Sequence, residues 1–305
     1  MSIVKSFSVA NGDMFYIQHN SDNFTIIDCN LNADTVEERI KDLKKASQGK
    51  GITRFISTHP DQDHIGGIEL LDAKMPISNF YVVKNGAIKP EETESFKHYC
   101  KLRDDAEKAY YIQKGSTRKW MNIGDEKRDN SGISILWPDV KNADFQEALE
   151  ESNAGKSYNN ISSIIRYKLA DGASFLWLGD LETDFMEKIT DHVDLTKTTV
   201  VFAPHHGRKS GKIPESWLKK LDPQLIVVGE APSQHLNYYS GYKTITQNSA
   251  GDITMECVGD KVHFYVSEPG YSHNGLVNEN MNTFDNYIGS LTVKGEQAEA
   301  MKEAA

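Results

Sequence analysis

The chain has 305 residues, of which 38% are hydrophobic and 26% are charged, and its formal net charge is −10 at pH 7. This length and composition predict a globular protein with one large core, and no run approaches the roughly 18 consecutive apolar residues of a membrane-spanning helix. The acidic excess argues against a broad electrostatic surface for nucleic acid, although a local basic groove is compatible with it.

The cysteines and the N-terminal segment indicate the cellular compartment. Cys29, Cys100 and Cys257 are odd in number and lack CxxC spacing. They therefore predict free thiols rather than a disulfide framework. The first residues lack the long apolar run of a signal peptide, and we expect a cytoplasmic protein that does not contact membranes.

The first elements read as a hairpin followed by a helix. Residues 15–19 and 24–28 are rich in β-branched and aromatic side chains around a polar turn, which predicts paired strands. A helix is predicted from Thr35, with Thr35 and Glu38 as a capping box and Val36, Ile40 and Leu43 as its apolar face. Gly49 is the predicted stop.

A dense set of metal-type side chains follows the next predicted strand, residues 54–57. The segment THPDQDHIGG, residues 58–67, contains His59, Asp61, Asp63 and His64. A turn at the end of a strand would hold these four donors within a few ångströms of one another. Imidazole suits zinc, iron and manganese, whereas carboxylates favour harder ions such as manganese or magnesium, so the metal stays open.

A charged, aromatic-rich segment then interrupts the β pattern. Residues 88–130 predict a helical insertion, which would be either a solvated surface element or a lid over a substrate groove. The second interpretation depends on an alternation of basic and tyrosine side chains: Lys97, Lys101, Arg103, Lys108 and Lys114 with Tyr99, Tyr110 and Tyr111.

Further ligand-type residues follow later strands. Strands are predicted at 133–137, 163–167, 175–178 and 199–203. The third of these leads to Asp180 and the fourth to His205 and His206. The carboxyl ends of strands are where sites form in α/β proteins. Three strand ends therefore deliver metal-type ligands, and this recurrence predicts a metal centre.

Together, HPDQDHIGG, LGDLE at 178–182 and APHHG at 203–207 resemble the metallo-β-lactamase fold. The similarity is stronger to the nuclease-type domain of ComEC proteins, in which the first motif also has Asp in place of its second His. VANGD at 9–13, IID at 26–28, and Asn159 and Asn160 before SSIIRY extend the resemblance over about residues 7–266. It implies an αββα sandwich spanning 1–270, with the helical insertion, and a C-terminal extension at 271–305.

The resemblance also implies the ligands of one or two divalent ions, zinc or manganese with magnesium as an alternative. Asp63, His64, Asp180 and His206 correspond to one metal position, with Asp180 bridging if two ions bind. His59 and Asp61 correspond to the other, where Asn160 stands near the usual third histidine. His205 is then a candidate for phosphate contact or protonation of a leaving group. Lys209 is either an anion contact or a surface residue, and His235 either approaches the site from a late loop or is structural. Asp63 would both ligate the ion and orient the nucleophile. Asn30 and Arg208 depart from the family pattern, which has glycine and serine there.

The implied activity is metal-dependent hydrolysis by an activated water. A phosphodiesterase or nuclease acting on DNA, RNA or a nucleotide is the first hypothesis, because an oxygen-rich site suits phosphate chemistry. A lactone or thioester hydrolase is the second. A non-catalytic protein that holds a metal is the third, and protein partners are not indicated.

Overall fold

The fold consists of strands that alternate with short helices. A computed structural model describes residues 1–170, 172–231 and 237–294. The strands are β1 Ser2–Ser6, β2 Phe15–Gln18, β3 Asn23–Ile27, β4 Cys29–Asn30, β5 Ile52–Ser57, β6 Phe80–Val82, β7 Ala109–Tyr111, β8 Ile133–Trp137, β9 Ile164–Lys168, β10 Ser174–Trp177, β11 Val200–Phe202, β12 Leu225–Val228, β13 Thr244–Thr246, β14 Ile253–Val258, β15 Lys261–Val266 and β16 Tyr287–Thr292. The helices are α1 Val36–Ala46, α2 Gln62–Ile65, α3 Ile68–Lys74, α4 Glu94–Asp104, α5 Ala143–Asn153, α6 Thr183–Lys188, α7 Glu215–Leu221 and α8 Gln247–Ala250, with 3-10 turns at Asn159–Ile161, His205–Gly207 and Lys209–Gly211.

The strands form two mixed sheets. The first sheet has the order β16-β15-β14-β1-β2-β3-β5-β6-β7, and the second has the order β13-β12-β11-β10-β9-β8. In the first sheet, β3, β5, β6 and β7 are parallel, and in the second, β10 to β13 are parallel. The carboxyl ends of β10 and β11 therefore lie at one edge of the second sheet.

Two buried clusters define the layers. One joins the inner side chains of the first sheet, such as Ile17 and Ile56, to the second sheet and to Phe145, Phe185 and Trp217 of α5, α6 and α7. The other covers the outer face of the first sheet with α1, α3 and α4. The order of layers is helix, sheet, sheet, helix, and the predicted αββα sandwich is confirmed.

The cap of α1 differs from the sequence-based prediction. Thr35 lies at the N-cap but accepts no side-chain hydrogen bond from the helix, because its hydroxyl donates to Oδ1 of Asn32 at 3.0 Å. The same oxygen accepts the backbone N–H groups of Asp34 and Thr35. The predicted capping box with Glu38 is therefore wrong, since the asparagine three residues earlier satisfies this turn.

Residues 88–130 contain less helix than the sequence pattern suggested. Of this segment only α4 is α-helical, and its buried side chains Phe96, Tyr99 and Leu102 join the outer cluster. The chain then adds β7 to the edge of the first sheet. The strand at the opposite edge of this sheet is β16. It lies within residues 271–305, the segment that the sequence predicted as a C-terminal extension. Within the described ranges, none of the helices combines the length and apolarity needed to cross a bilayer.

Candidate metal centre

The loop after β5 brings the first motif to the edge of the first sheet. His59 is 1% exposed, and its Nδ1 lies 3.1 Å from the Thr58 hydroxyl. Asp61 is the N-cap of α2, and Asp63 and His64 lie in that helix. The rings of His59 and His64 have centroids 4.1 Å apart. The short helix therefore keeps both imidazoles on the same side of the loop.

The second sheet contributes Asp180 just beyond β10. This carboxylate is 2% exposed, and its backbone N–H donates to the hydroxyl of Ser162 at 3.0 Å. The residue before it, Gly179, has φ +52°, and a Cβ there would lie 2.7 Å from Ser162. The turn that directs Asp180 into the site therefore needs glycine.

The two neighbouring histidines follow β11 in an unusual backbone conformation. His205 and His206 have φ values of 52° and 55°, and Gly207 has φ 85°. Non-glycine residues rarely occupy this left-handed region, where each costs of order 1–3 kcal/mol and tends to mark a functional site. His206 is fully buried, whereas the side chain of His205 is 15% exposed.

Buried donor atoms without hydrogen-bond partners converge between the two sheets: His59 Nε2, His64 Nε2, His206 Nε2 and Asp180 Oδ1. His64 Nε2 lies 3.0 Å from Asp180 Oδ1, but the angles are not those of a hydrogen bond. His206 Nε2 lies 3.4 Å from Asp63 Oδ2 and 3.6 Å from Asp180 Oδ2.

These separations suit donors that share one ion. Ligands about 2.1 Å from a common ion are about 3.0 Å apart in an octahedral arrangement and about 3.4 Å apart in a tetrahedral one. Buried polar atoms are almost always satisfied, so several unpartnered donor atoms this close together are the arrangement expected of metal ligands. Among the described residues, one group has ligand atoms all within 4.8 Å of one another: Asp13, His64, Asp180 and His206. The donor set therefore fits a divalent ion.

Two carboxylates orient the histidines, and one of them, Asp13, also belongs to the compact donor group. Asp28 Oδ2 lies 2.8 Å from His64 Nδ1, and Asp13 Oδ1 lies 3.2 Å from His206 Nδ1. A carboxylate at Nδ1 fixes the tautomer that leaves Nε2 free for a metal. Asp28 is itself held by the backbone N–H and hydroxyl of Thr58, at 2.7 and 2.6 Å.

Charges within the cluster change its protonation in the ion-free protein. Burial lowers the pKa values of His64 and His206, but neighbouring carboxylates, above all Asp180, outweigh this and raise the pKa of His206 to about 10 and that of His64 well above its usual value. Burial and, to a smaller extent, the charge of His64 lower the pKa of His59 to about 4 against the opposing effect of the nearby carboxylates. Burial opposes the charge of Asp180, yet the same histidines hold its pKa well below the usual range. The protons on His64 and His206 thus stand in for a cation.

A polar chain runs from Asp63 to the edge of the site. Asn11 donates its amide to Asp63 Oδ2 at 3.0 Å, and the Arg208 guanidinium donates to Asn11 Oδ1. Burial opposes ionisation of Asp63, but the His206 imidazole, whose Nε2 lies 3.4 Å from Asp63 Oδ2, and the charge of His64 lower its pKa to about 2. Asp63 is therefore a carboxylate at neutral pH, and the hydrogen bonds of Asn11 connect it to the Arg208 guanidinium.

The remaining sequence-predicted residues are placed differently. Asp61 lies 3.0 Å from Lys89 Nζ and is not in the compact group. The Asn160 amide binds Glu182: its Oδ1 accepts the backbone N–H at 3.1 Å, and its Nδ2 donates to the carboxylate at 3.0 Å. Within the described residues, we see no contact between Asn160 and the cluster. Lys209 is exposed. His235 lies outside the described residues.

Sequence reasoning gave no role to Asp13, Asn11 or Lys89. Asp13 and Asn11 lie in the VANGD segment, whose backbone is tied to the first motif because Asp13 N–H donates to the Asp63 carbonyl at 3.1 Å. Asn30, the departure from glycine, donates to the Val9 carbonyl at 3.1 Å and so holds the same loop. The available sequence signal for Asp13 was the Gly12-Asp13 pair ahead of β2. Its backbone partner, Asp63, lies about fifty residues away in sequence.

Comparison with known proteins gives similarities in sequence and in structure. No protein-family model matches the chain. Over 189 residues, 62% of the chain, it is 22% identical to ComE operon protein 3 of Bacillus subtilis (strain 168), and it spans 21% of that protein's length. This similarity agrees with the ComEC-type resemblance of the motifs.

The similarities in structure are weaker. A diphosphatase from the PhnP family has a TM-score of 0.43 and 13% identity, over 85% of this chain and 99% of that one. CmlA, a diiron β-hydroxylase from Streptomyces venezuelae, has a TM-score of 0.41 and 12% identity, over 75% of this chain and 44% of that one.

Proposed function

We propose that this chain is a divalent-metal-dependent hydrolase and that it cleaves phosphoester bonds, with phosphodiesters of a nucleic acid or nucleotide as the preferred class. The observation that carries the proposal is the convergence of buried, unpartnered imidazole nitrogens and a carboxylate oxygen from both sheets. A cytoplasmic location remains a prediction from the sequence.

His64, Asp180 and His206 of the compact group would hold the ion together with Asp63, which lies outside that group but has its Oδ2 3.4 Å from His206 Nε2. Their two imidazole nitrogens and two carboxylates suit zinc or manganese, and magnesium is the harder alternative. A bound ion supplies an activated water near neutral pH and a positive charge that polarises the scissile bond. Asp28 and Asp13 keep the two imidazoles turned toward it.

His205 is placed to donate a hydrogen bond to the substrate. Its Nδ1 lies 2.9 Å from the Ser210 hydroxyl, and its Nε2 faces Asp180 Oδ2 at 3.8 Å. If Ser210 donates to Nδ1, the neutral ring carries its proton at Nε2, the atom that faces the cluster. Burial lowers the pKa of His205, which favours the neutral ring. We assign its Nε2–H a hydrogen bond to the leaving oxygen rather than proton transfer, because a neutral imidazole would have to become an imidazolate to release that proton.

Arg208 favours an anionic substrate. Its guanidinium is hydrogen-bonded to Asn11, lowers the pKa of His205 by its charge, and carries a buried Nε without a hydrogen-bond partner. A planar guanidinium with a free N–H matches the oxygens of a phosphoryl group. A neutral lactone or thioester offers this donor a carbonyl oxygen but no negative charge to match the guanidinium. Arg208, rather than the exposed Lys209, is therefore the better candidate for the phosphate contact.

Hydrolysis by reloaded protein tests the proposal. The chain is stripped of metal, reloaded with manganese, zinc or magnesium, and assayed on bis(p-nitrophenyl) phosphate, on single-stranded DNA and on a neutral lactone. We expect metal-dependent cleavage of the phosphodiesters, and its loss in Asp180→Ala with the fold retained by circular dichroism. Cleavage of the lactone alone would support the carbonyl-substrate alternative. Tight metal binding without any turnover would support a binding protein.

A further inference from the structure

A lysine from outside the motifs lies on one of the predicted ligands. Lys89 Nζ is 3.0 Å from Asp61 Oδ1, and the side chains of the two residues are 12% and 33% exposed. Asp61 corresponds in the motif to a ligand of the second metal position, beside His59. The carboxylate that such an ion would need is therefore already neutralised by an ammonium group.

The neighbouring residues hold this lysine in place. Lys89 Nζ lies 4.7 Å from the centre of the Tyr158 ring and 5.4 Å from that of Phe96. The Tyr158 hydroxyl donates to the carbonyl of Ile88 at 2.5 Å, which fixes the backbone next to the lysine. The Lys89 side chain is largely buried and makes cation–π contacts with both rings. Its ammonium group is therefore held in one position and does not sample many surface rotamers.

The other donors at this position are too few for an ion. Asn160 is committed to Glu182 through both ends of its amide. His59 keeps an unpartnered Nε2, which lies 3.9 Å from Asp180 Oδ2, and Asp180 is shared with the first position. Among the described residues, the one compact donor group contains neither His59 nor Asp61.

We propose that the centre binds a single divalent ion and that the Lys89 ammonium occupies the place of the second one. An ammonium on Asp61 removes a ligand and repels a dication that would approach His59, because like charges at such distances repel strongly in a partly buried site. This inference rests on the metal centre of the proposed function but not on its substrate.

Metal stoichiometry tests the inference without any activity assay. Ion-free protein is titrated with manganese, bound ions are counted by mass spectrometry of the metal, and their spin coupling is measured by electron paramagnetic resonance. We expect one uncoupled ion per chain for the unmodified protein and for Lys89→Arg, which keeps the charge. Lys89→Ala frees Asp61, so we expect a second, weaker ion that is spin-coupled to the first.

A matched control is Lys101→Ala, which removes an exposed lysine of α4 and should leave one ion per chain. Two coupled ions in the unmodified protein would overturn the inference. So would a folded Lys89→Ala protein that binds one ion, or one whose second ion is uncoupled and hence elsewhere. A chain that binds no ion would contradict the metal centre itself.

Discussion

Asp28 Oδ2 lies 2.8 Å from Nδ1 of His64, and this contact turns the Nε2 of the same ring toward Asp180. Asp28 follows β3 and His64 lies in the loop after β5, the parallel neighbour of β3. The pairing of two adjacent strands therefore sets the orientation of a metal ligand. The Asp28 backbone has φ 56°, a conformation that is sparsely populated for residues other than glycine.

Replacing Asp28 by asparagine should weaken metal binding without removing a ligand. Asp28→Asn keeps the shape of the side chain but loses the charge that fixes the His64 tautomer. We expect the affinity for zinc or manganese to fall by about 10- to 100-fold, the usual effect of losing such an orienting carboxylate. Competition with a chelating dye measures it.

A second aspartate–histidine pair supplies the control. Asp72 Oδ2 lies 2.8 Å from His98 Nε2, on α3 and α4, away from the cluster. Asp72→Asn should leave metal affinity unchanged, although it removes the same type of contact. Equal losses in the two variants would mean that the effect is a general destabilisation rather than an orientation of His64.

The stability of the ion-free protein should fall at alkaline pH. The pKa of His206 is raised from 6.5 to about 10, so its stabilising contribution is complete below pH 6.5 and is lost as the pH rises toward 10. We expect the Tm in the presence of a chelator to fall by roughly 5 °C or more between pH 6.5 and pH 9.5. Thermal unfolding followed by circular dichroism measures it.

Bound metal should abolish this alkaline loss of stability, because the metal requires the neutral imidazole of His206 at every pH. The metal-loaded protein should therefore show little decline in Tm over the same range, and ion-free His206→Gln should show a smaller decline than the ion-free parent. An alkaline decline of equal size with and without metal would locate the titrating group elsewhere.

The sequence alone predicted the parts of the site that are local in the chain. His59 and His64 lie in one loop behind one strand, so their proximity follows from the motif. The role of Asp13 depends on a contact with His206, 193 residues away in sequence. The role of Lys89 depends on a contact made from a segment interpreted as an insertion, and no periodicity encodes either contact. Asn160 illustrates the converse: its position in sequence suggested a ligand, but its amide binds Glu182.

Substitution of Arg208 should affect anionic substrates specifically. Arg208→Lys keeps a positive charge but loses the planar N–H pair and the bond to Asn11. We expect kcat/KM for bis(p-nitrophenyl) phosphate to fall about 10-fold or more, in line with about 1.5–3 kcal/mol for a hydrogen bond to a charged group. Inhibition by inorganic phosphate should weaken in parallel, and metal affinity should be retained.

Two lysine variants make this result specific. Lys219→Ala removes an exposed charge on α7 and should not change phosphate inhibition. Lys209→Ala should lower kcat/KM less than Arg208→Ala does. If the larger loss belongs to Lys209, the contact originally predicted from the sequence is the correct one and the role assigned to Arg208 is wrong.

Gly207 couples the backbone of His206 to the second sheet. With φ 85°, a non-glycine residue is strained here, and a Cβ would lie 2.4 Å from Cγ1 of Val228 at the end of β12. Gly207→Ala should therefore lower the free energy of unfolding by about 1–3 kcal/mol and weaken metal binding, because the strain is relieved by moving the adjacent ligand His206. Denaturant unfolding and dye competition measure the two effects.

The double variant separates the two causes. Val228→Ala removes the clashing methyl group but cannot change the φ preference at residue 207. We expect Gly207→Ala with Val228→Ala to be less destabilised than the sum of the single variants, with metal affinity partly recovered. Strict additivity would mean that the backbone conformation alone accounts for the effect, and that the close approach of Gly207 to β12 does not position His206.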